Sequence, residues 1–136
     1  MASQINHKHI VFLIIVGLLG WIVPGGGHFA INKKKHASII FFSLIITFTL
    51  GLYIGSIAVI DPKGSLPWFA AQMMNTPAVA ILGHISVAGG YYVYGRSGEI
   101  GQIYTSITGL LNLLCIVNAV YWAHLFKNIN EKNTEN

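Results

Sequence analysis

The sequence predicts an all-α integral membrane bundle of four transmembrane helices, and three observations support this fold class. Hydrophobic residues make up 54% of the 136 residues, and charged residues only 9%, against roughly a quarter in an average soluble domain. Uncharged stretches recur at close to the about 20 residues that a helix needs to cross a bilayer. Aromatic residues lie near the ends of these stretches, as expected at the two membrane surfaces. The charge deficit argues against a free-standing cytosolic enzyme and against a disordered chain.

The first predicted span covers residues 9–31, where Pro24 and three consecutive glycines interrupt an apolar run. A helix that stopped at Val23 would hold about 15 residues and reach about 22 Å, which is too short for a crossing. Either the helix continues through the glycines with a kink at Pro24, or the chain turns back inside a protein-lined pocket, because irregular backbone cannot face lipid. We favour the kinked crossing.

The other three spans are uncharged runs of sufficient length. The second is ended by Asp61-Pro62, where proline cannot continue a helix. The third begins with Thr76 as the N-cap and Pro77 at the first helical position. These spans are predicted at residues 37–60, 76–94 and 103–126.

The apolar stretch at residues 66–74 is too short to cross and predicts an interfacial helix with Trp68 at headgroup depth. Four spans use most of the chain and leave no room for a second domain. We therefore expect one transmembrane domain, residues 1–126, followed by a polar C-terminal tail, residues 127–136.

Positive charge is concentrated in one short loop, at Lys33, Lys34 and Lys35. The net charge of +4 therefore suits anionic lipid headgroups better than nucleic acid, and no nucleic-acid partner is expected. Short basic loops follow the positive-inside rule. This predicts a multi-pass protein of the bacterial inner membrane, with the lysine loop in the cytoplasm and both termini outside.

Small residues mark the faces at which the helices are expected to pack, because close approach and interhelical hydrogen bonds drive association in lipid. In the second span, small residues recur at a strict four-residue spacing, which places them on one side of the helix. Whether this face packs inside the bundle or against another subunit stays open. The predicted packing residues are Ser43, Thr47, Gly51, Gly55, Ala80, His84, Ala88, Gly109, Asn112, Cys115 and Ala119.

His84 and Asn112 lie near the middle of the third and fourth predicted spans. A polar side chain at the bilayer centre is costly unless it is paired. We therefore predict that His84 forms a hydrogen bond with a polar group of the fourth span, with Asn112 as the first candidate. The opposite face of the fourth span carries Leu110, Leu113, Leu114 and Val117 and should face lipid or a partner.

Six histidines raise the question of haem or metal. His84 and His124 lie on the order of 15 Å apart along the membrane normal and cannot share one haem. His7, His9 and His124 should lie on the same side, so a surface haem or metal site there is conceivable. We nevertheless expect no cofactor and no metal.

Catalytic groups are scarce. The acidic residues Asp61, Glu99, Glu131 and Glu135 fall in predicted loops or in the tail, so no carboxylate pair forms within a span. The glycine triplet lacks the Gly-Lys-Ser/Thr that a phosphate-binding loop requires. Cys115 has no base in its sequence neighbourhood and should pack as a small apolar side chain. We expect that the protein is not an enzyme.

One motif resembles a known group of proteins. Trp21, Pro24, Gly25, Gly27, His28 and Phe29 form the pattern W-x-x-P-G-x-G-H-F, which a basic loop and a long apolar helix follow. The pattern resembles small uncharacterised bacterial multi-pass membrane proteins. It is also distantly similar, over about residues 17–60, to the TM2-type domain. This resemblance implies a two-helix hairpin with a tight turn at the cytoplasmic face and carries no catalytic residues.

Marked packing faces without catalytic groups favour a non-catalytic accessory or scaffolding subunit of a larger membrane complex. Its partners would be the lipid bilayer and other integral membrane subunits, with a homo-oligomer as a further possibility. Two alternatives stay open. One is a redox subunit that holds haem or quinone through His84, or through the side that carries His7, His9 and His124. The other is a small channel or carrier component with His84 and Asn112 along a polar path.

Overall fold

The computed structural model describes residues 7–64, 66–92 and 95–134, with side chains as far as Phe126. Within these ranges the chain forms six helices and one 3-10 turn, with no strand. Among the described residues, two helices are long and apolar enough to cross a membrane, namely Lys34–Gly55 and Arg96–Phe126. The prediction of an all-α fold is confirmed, whereas four spanning helices are not found. The elements are α1 (His7–Ile22), α2 (Gly26–Ala30), α3 (Lys34–Gly55), the 3-10 turn (Ile57–Val59), α4 (Leu66–Met73), α5 (Ala78–Ala88) and α6 (Arg96–Thr134).

Helices α3 and α6 pack along each other in antiparallel orientation. Gly51 lies against Thr105, and Gly55 lies against Gly101. A Cβ atom on Gly51 would come within 2.8 Å of the Thr105 Cγ2 atom, so the absence of a side chain sets how closely the helices approach. This pair forms the frame on which the shorter helices are arranged.

Helices α1 and α2 form a hairpin that reaches only halfway along α6. His9 contacts His124 near one end of α6, and the carbonyl of Gly20 contacts Asn112 in its middle. The chain then turns at Gly25, which has a φ of 80°, and α2 packs back against α1. Lys33 follows and lies over the ring of Trp122, so both ends of the hairpin are at the same end of α6.

The kinked crossing over residues 9–31 is therefore wrong, and the turn within a protein-lined pocket is what forms. A left-handed Gly25 reverses the chain direction, and the two following glycines allow α2 to touch α1. Gly27 is so close that a Cβ atom there would meet the Val16 carbonyl oxygen at 2.9 Å. The predicted placement of the lysine loop opposite the chain ends is wrong for the same reason, since Lys33 and His9 lie beside the same end of α6.

Helices α4 and α5 form a second hairpin from the opposite end. Helix α4 runs alongside α6, with the Trp68 carbonyl near Ser106 and the Asn75 carbonyl on Asn112. Helix α5 then returns, and its Gly83 packs on the ring of Phe69.

Two earlier predictions fall on this hairpin. The third span, residues 76–94, is not formed, because α5 ends at Ala88 before two glycines and measures about 16 Å. The short helix at 66–74 is confirmed as a helix. Its Gln72 is fully buried, whereas Leu66 and Trp68 are exposed.

Each hairpin has a small apolar core of its own. Val16 of α1 packs with Ala119 and Ala123 of α6. Val79 of α5 packs with Val59 and Ile60, which follow α3. At the C-terminal end, α6 continues through Thr134, so the predicted polar tail is helical over its described residues; positions 135 and 136 lie outside them.

Candidate functional site

The ends of the two hairpins meet beside the middle of α6. The Thr76 hydroxyl donates a hydrogen bond to the Ile22 carbonyl at 3.1 Å, and the Trp21 indole N–H donates one to the Met73 carbonyl at 2.9 Å. Each bond joins one hairpin to the other. We call residues 20–25 and 72–77, together with Asn112, the tip junction.

Asn112 connects both hairpins to α6. Its side chain is fully buried, and its amide nitrogen Nδ2 donates to the carbonyl oxygens of Gly20, Met74 and Asn75 at 3.1, 3.1 and 2.8 Å. The last carbonyls of a helix have no donor within that helix. Asn112 therefore supplies donors that the C-terminal ends of α1 and α4 lack.

Gln72 makes a second buried connection on the α4 side. Its Nε2 atom donates to the Val59 carbonyl at 3.1 Å and to the Thr105 hydroxyl at 2.8 Å. The Thr105 hydroxyl in turn donates to the Gly101 carbonyl at 2.9 Å. These bonds join α4 to α6 and to the 3-10 turn.

Acceptors outnumber donors around these residues. The buried oxygens Gln72 Oε1, Asn75 Oδ1 and Asn112 Oδ1 have no hydrogen-bond partner within the described part of the chain. The C-terminal ends of α1 and α4 also point towards the tip junction and bring partial negative charge. Chemically, this arrangement favours a water molecule or another hydrogen-bond donor.

The predicted bond between His84 and Asn112 is wrong. Asn112 uses its amide nitrogen on three backbone carbonyls, and its oxygen has no described partner. His84 lies on an exposed face of α5. The prediction assumed a full-length third helix with His84 at its midpoint, whereas the midpoint of the molecule is at the hairpin tips.

The predicted packing faces differ in outcome. On α5, the predicted residues Ala80, His84 and Ala88 are exposed, and the buried residues are Val79, Gly83 and Ser86.

On α3, Gly51 and Gly55 are buried as predicted. Ser43 is exposed, and Thr47 is half-buried and donates to the Ser43 carbonyl of its own helix.

On α6 the predicted residues lie on the less exposed face. Gly109, Asn112 and Ala119 are buried and Cys115 is half-buried. The opposite face is exposed, as predicted, at Leu110, Leu113, Leu114 and Val117.

The predicted turn motif builds the first hairpin. Pro24, Gly25, Gly27 and His28 are buried in the turn, whereas Phe29 is 48% exposed. Trp21 provides the indole bond to the second hairpin. The close approach of backbones thus explains the glycines without any phosphate-binding role.

Two of the three candidate histidines come together. The Nε2 atom of His9 lies 3.0 Å from Nδ1 of His124, and the rings are 5.3 Å apart. His84 lies elsewhere, on α5. Within the described part of the chain, no group of three or more His, Cys, Asp or Glu side chains could hold a metal ion.

A cleft lies at the lysine-bearing end of the molecule, between the start of α3 and α6. Its volume is about 440 Å³. Lys33 forms part of it, with its Nζ atom 3.4 Å from the centre of the Trp122 ring. The lining residues are His28, Lys33, His36, Ile40, Leu111, Leu114, Cys115, Asn118 and Trp122.

Gln72, Asn75 and Thr76 were not among the predicted site residues. A lone glutamine within the apolar stretch at 66–74 was the available signal for Gln72. Asn75 and Thr76 act at the hairpin tip, and their roles depend on a turn that the predicted span 76–94 did not contain.

Residues 15–132 match a family described as a family of unknown function (DUF6677). The chain belongs to this family. The match includes the second half of α1, all of α2, α3, α4 and α5, and α6 as far as residue 132. No curated protein and no solved structure matches the chain.

Proposed function

We propose that this chain is a non-catalytic subunit of a larger membrane protein complex, in which a partner membrane protein covers the face formed by the two hairpins. The observation that carries this proposal is the exposure of Ile22, Val23 and Met74 at the tip junction, together with that of His84 on α5. The argument depends first on how the chain is placed in a bilayer.

In this placement, α3 and α6 cross the bilayer. The two hairpins enter from opposite surfaces, and each hairpin ends near the midplane. Charge supports one orientation. Six of the eight Lys and Arg residues lie at the end where α1 begins and α6 ends, which favours that end as cytoplasmic in a bacterial inner membrane. The six are Lys8, Lys33, Lys34, Lys35, Lys127 and Lys132, against Lys63 and Arg96 at the opposite end.

Non-helical backbone at membrane depth is tolerated only where protein covers it or where it lines a water-filled cavity. On its inner side the tip junction is covered by α6 through Asn112. On its outer side, Ile22 is 54% exposed and Met74 is 37% exposed, and the bond from Thr76 to the Ile22 carbonyl is itself exposed. A partner helix across this face would shield these polar backbone groups from lipid.

His84 strengthens the same argument. It lies six residues after the start of α5, hence about 9 Å from the hairpin tip and within the hydrocarbon layer. An imidazole that faces lipid at that depth is costly, and such groups almost always face protein or water. A partner with a hydrogen-bonding group opposite His84 would provide the hydrogen bond that this imidazole needs at that depth.

Cross-linking in native membranes tests the proposal. In a Cys115→Ser background, His84→Cys and Thr76→Cys should each give one discrete adduct with a bifunctional maleimide, and mass spectrometry of the adduct should identify the same partner chain for both. Phe42→Cys is the matched control, because Phe42 is 62% exposed but lies on α3. An adduct of twice the chain's own mass would replace the hetero-complex with a homo-oligomer. The same pattern at positions 42, 76 and 84 would refute the proposed face.

A small channel or carrier component is the second candidate. It is favoured by the buried amide oxygens at the tip junction, which have no partner among the described residues. Discontinuous helices that end at the midplane are a recurrent way to build transport sites. Flux of small cations or polar solutes into vesicles that contain the purified chain would support this candidate if Asn112→Leu altered the flux. Vesicles as impermeable as protein-free ones would remove it.

A further inference from the structure

The cleft at the lysine-bearing end has a polarity gradient along α6 and α3. Asn118 and Trp122 lie towards the end of α6, and Leu111 and Leu114 lie two turns deeper. On α3, His36 precedes Ile40 by one turn in the same direction. The cleft is therefore cationic and polar at the level of the lysine loop and apolar towards the centre of the molecule.

His28 provides a buried polar group in this cleft. Its side chain is only 5% exposed, and its Nδ1 atom has no hydrogen-bond partner within the described residues. His28 also forms a side-chain hydrogen bond with Asn118, which lines the same cleft. The turn at Gly25 holds α2, and with it His28, in place against α1.

Lys33 differs from the two lysines that follow it. Its side chain is half-buried, and its ammonium group is held over the Trp122 ring at 3.4 Å. A cation–π contact uses the electrostatic attraction of the ring and leaves ammonium N–H groups free to bind an anion. Lys34 and Lys35 are exposed and do not line the cleft.

We infer that this cleft binds one phospholipid with an anionic headgroup. The headgroup phosphate binds Lys33 and His36 beside the paired side chains of His28 and Asn118, and an acyl chain lies along Ile40, Leu111 and Leu114. The inference uses the membrane placement given above but not the partner protein, so the two fail separately.

Native mass spectrometry of the purified chain in detergent tests this assignment. With added phosphatidylglycerol, the expected result is one retained lipid per chain, and phosphatidylcholine of the same chain length should be retained much less. Lys33→Gln should weaken retention about fivefold, as one charge near an anionic headgroup predicts. Lys35→Gln removes the same charge from the same loop outside the cleft and should change retention less than about twofold.

A second variant probes the apolar half without changing charge. Leu111→Trp should fill that half and reduce retention of the lipid, while circular dichroism and the melting temperature without lipid confirm folding. Equal losses for Lys33→Gln and Lys35→Gln would overturn the inference in favour of diffuse attraction. Equal retention of both lipids would overturn it as well. Binding of inorganic phosphate that displaces the lipid would identify a site for soluble anions instead.

Discussion

The α3–α6 pair and the tip junction are held together by different physics. The two long helices satisfy their own backbone hydrogen bonds, so their contact at Gly51 and Gly55 requires only complementary shape. The tip junction joins helices that stop at mid-length, and their terminal carbonyls need donors from elsewhere, which Asn112 and Trp21 supply. A broken helix therefore needs specific polar side chains, whereas a continuous one needs small residues.

The largest expected effect is on the side of the membrane from which cysteines at the two ends of the first hairpin react. The comparison depends on that hairpin returning to the surface at which it began. In a Cys115→Ser background, His7→Cys and Lys34→Cys should react with a membrane-impermeant maleimide from the same side of the membrane. Lys63→Cys should react only from the other side. The physical reason is that the first hairpin returns to the surface at which it began. Reaction of positions 7 and 34 from opposite sides would restore the full crossing of residues 9–31.

Gly51→Leu tests the contact between α3 and α6, which depends on complementary shape. A Cβ atom at this position would already lie 2.8 Å from Thr105 Cγ2 and 3.1 Å from the Thr105 backbone nitrogen, so a leucine must separate the helices. We expect a loss of about 3 kcal/mol in the free energy of unfolding, measured by circular dichroism during denaturation in mixed micelles. Ser43→Leu is the control on the exposed part of α3 and should change stability by less than about 0.5 kcal/mol.

Asn112→Leu tests the tip junction, which depends on hydrogen bonds. The substitution keeps a side chain of similar size but leaves three carbonyls without their donor, so we expect a loss of about 2 kcal/mol. Amide hydrogen exchange should rise at the hairpin tips, near Val23 and Met74, more than at Gly51. Asn118→Leu, on an exposed part of the same helix, should leave exchange at the tips unchanged. Equal effects of the two substitutions would mean that Asn112 does not hold the hairpins.

The features that the sequence predicted well are those of continuous helices. A regular spacing of small and polar residues is sufficient to identify the buried face of α6, and an uninterrupted apolar run is sufficient to identify α3. In both cases the pattern repeats over many turns, so single exceptions such as Ser43 do not change the result.

The two hairpins are harder to predict from the sequence, because each depends on a few single residues and not on a repeated pattern. A Pro-Gly-Gly-Gly sequence is compatible with a kink and with a full turn, and only the contact of Gly26 and Gly27 with α1 decides between them. Residues Gly89 and Gly90 could have shortened the third span, yet the following tyrosines resemble a membrane-surface belt. The partners of Asn112 could not be predicted, because backbone carbonyls become available as acceptors only once both turns are known.

The separation of 92 residues between Gly20 and Asn112 has a consequence for biosynthesis. At about 5–20 residues per second, a ribosome takes roughly 5–20 s to make the chain between them. During that interval Asn112, which donates a hydrogen bond to the Gly20 carbonyl, has not yet been made. In the proposed membrane placement, the hairpin therefore reaches its final depth only after the last helix has been made.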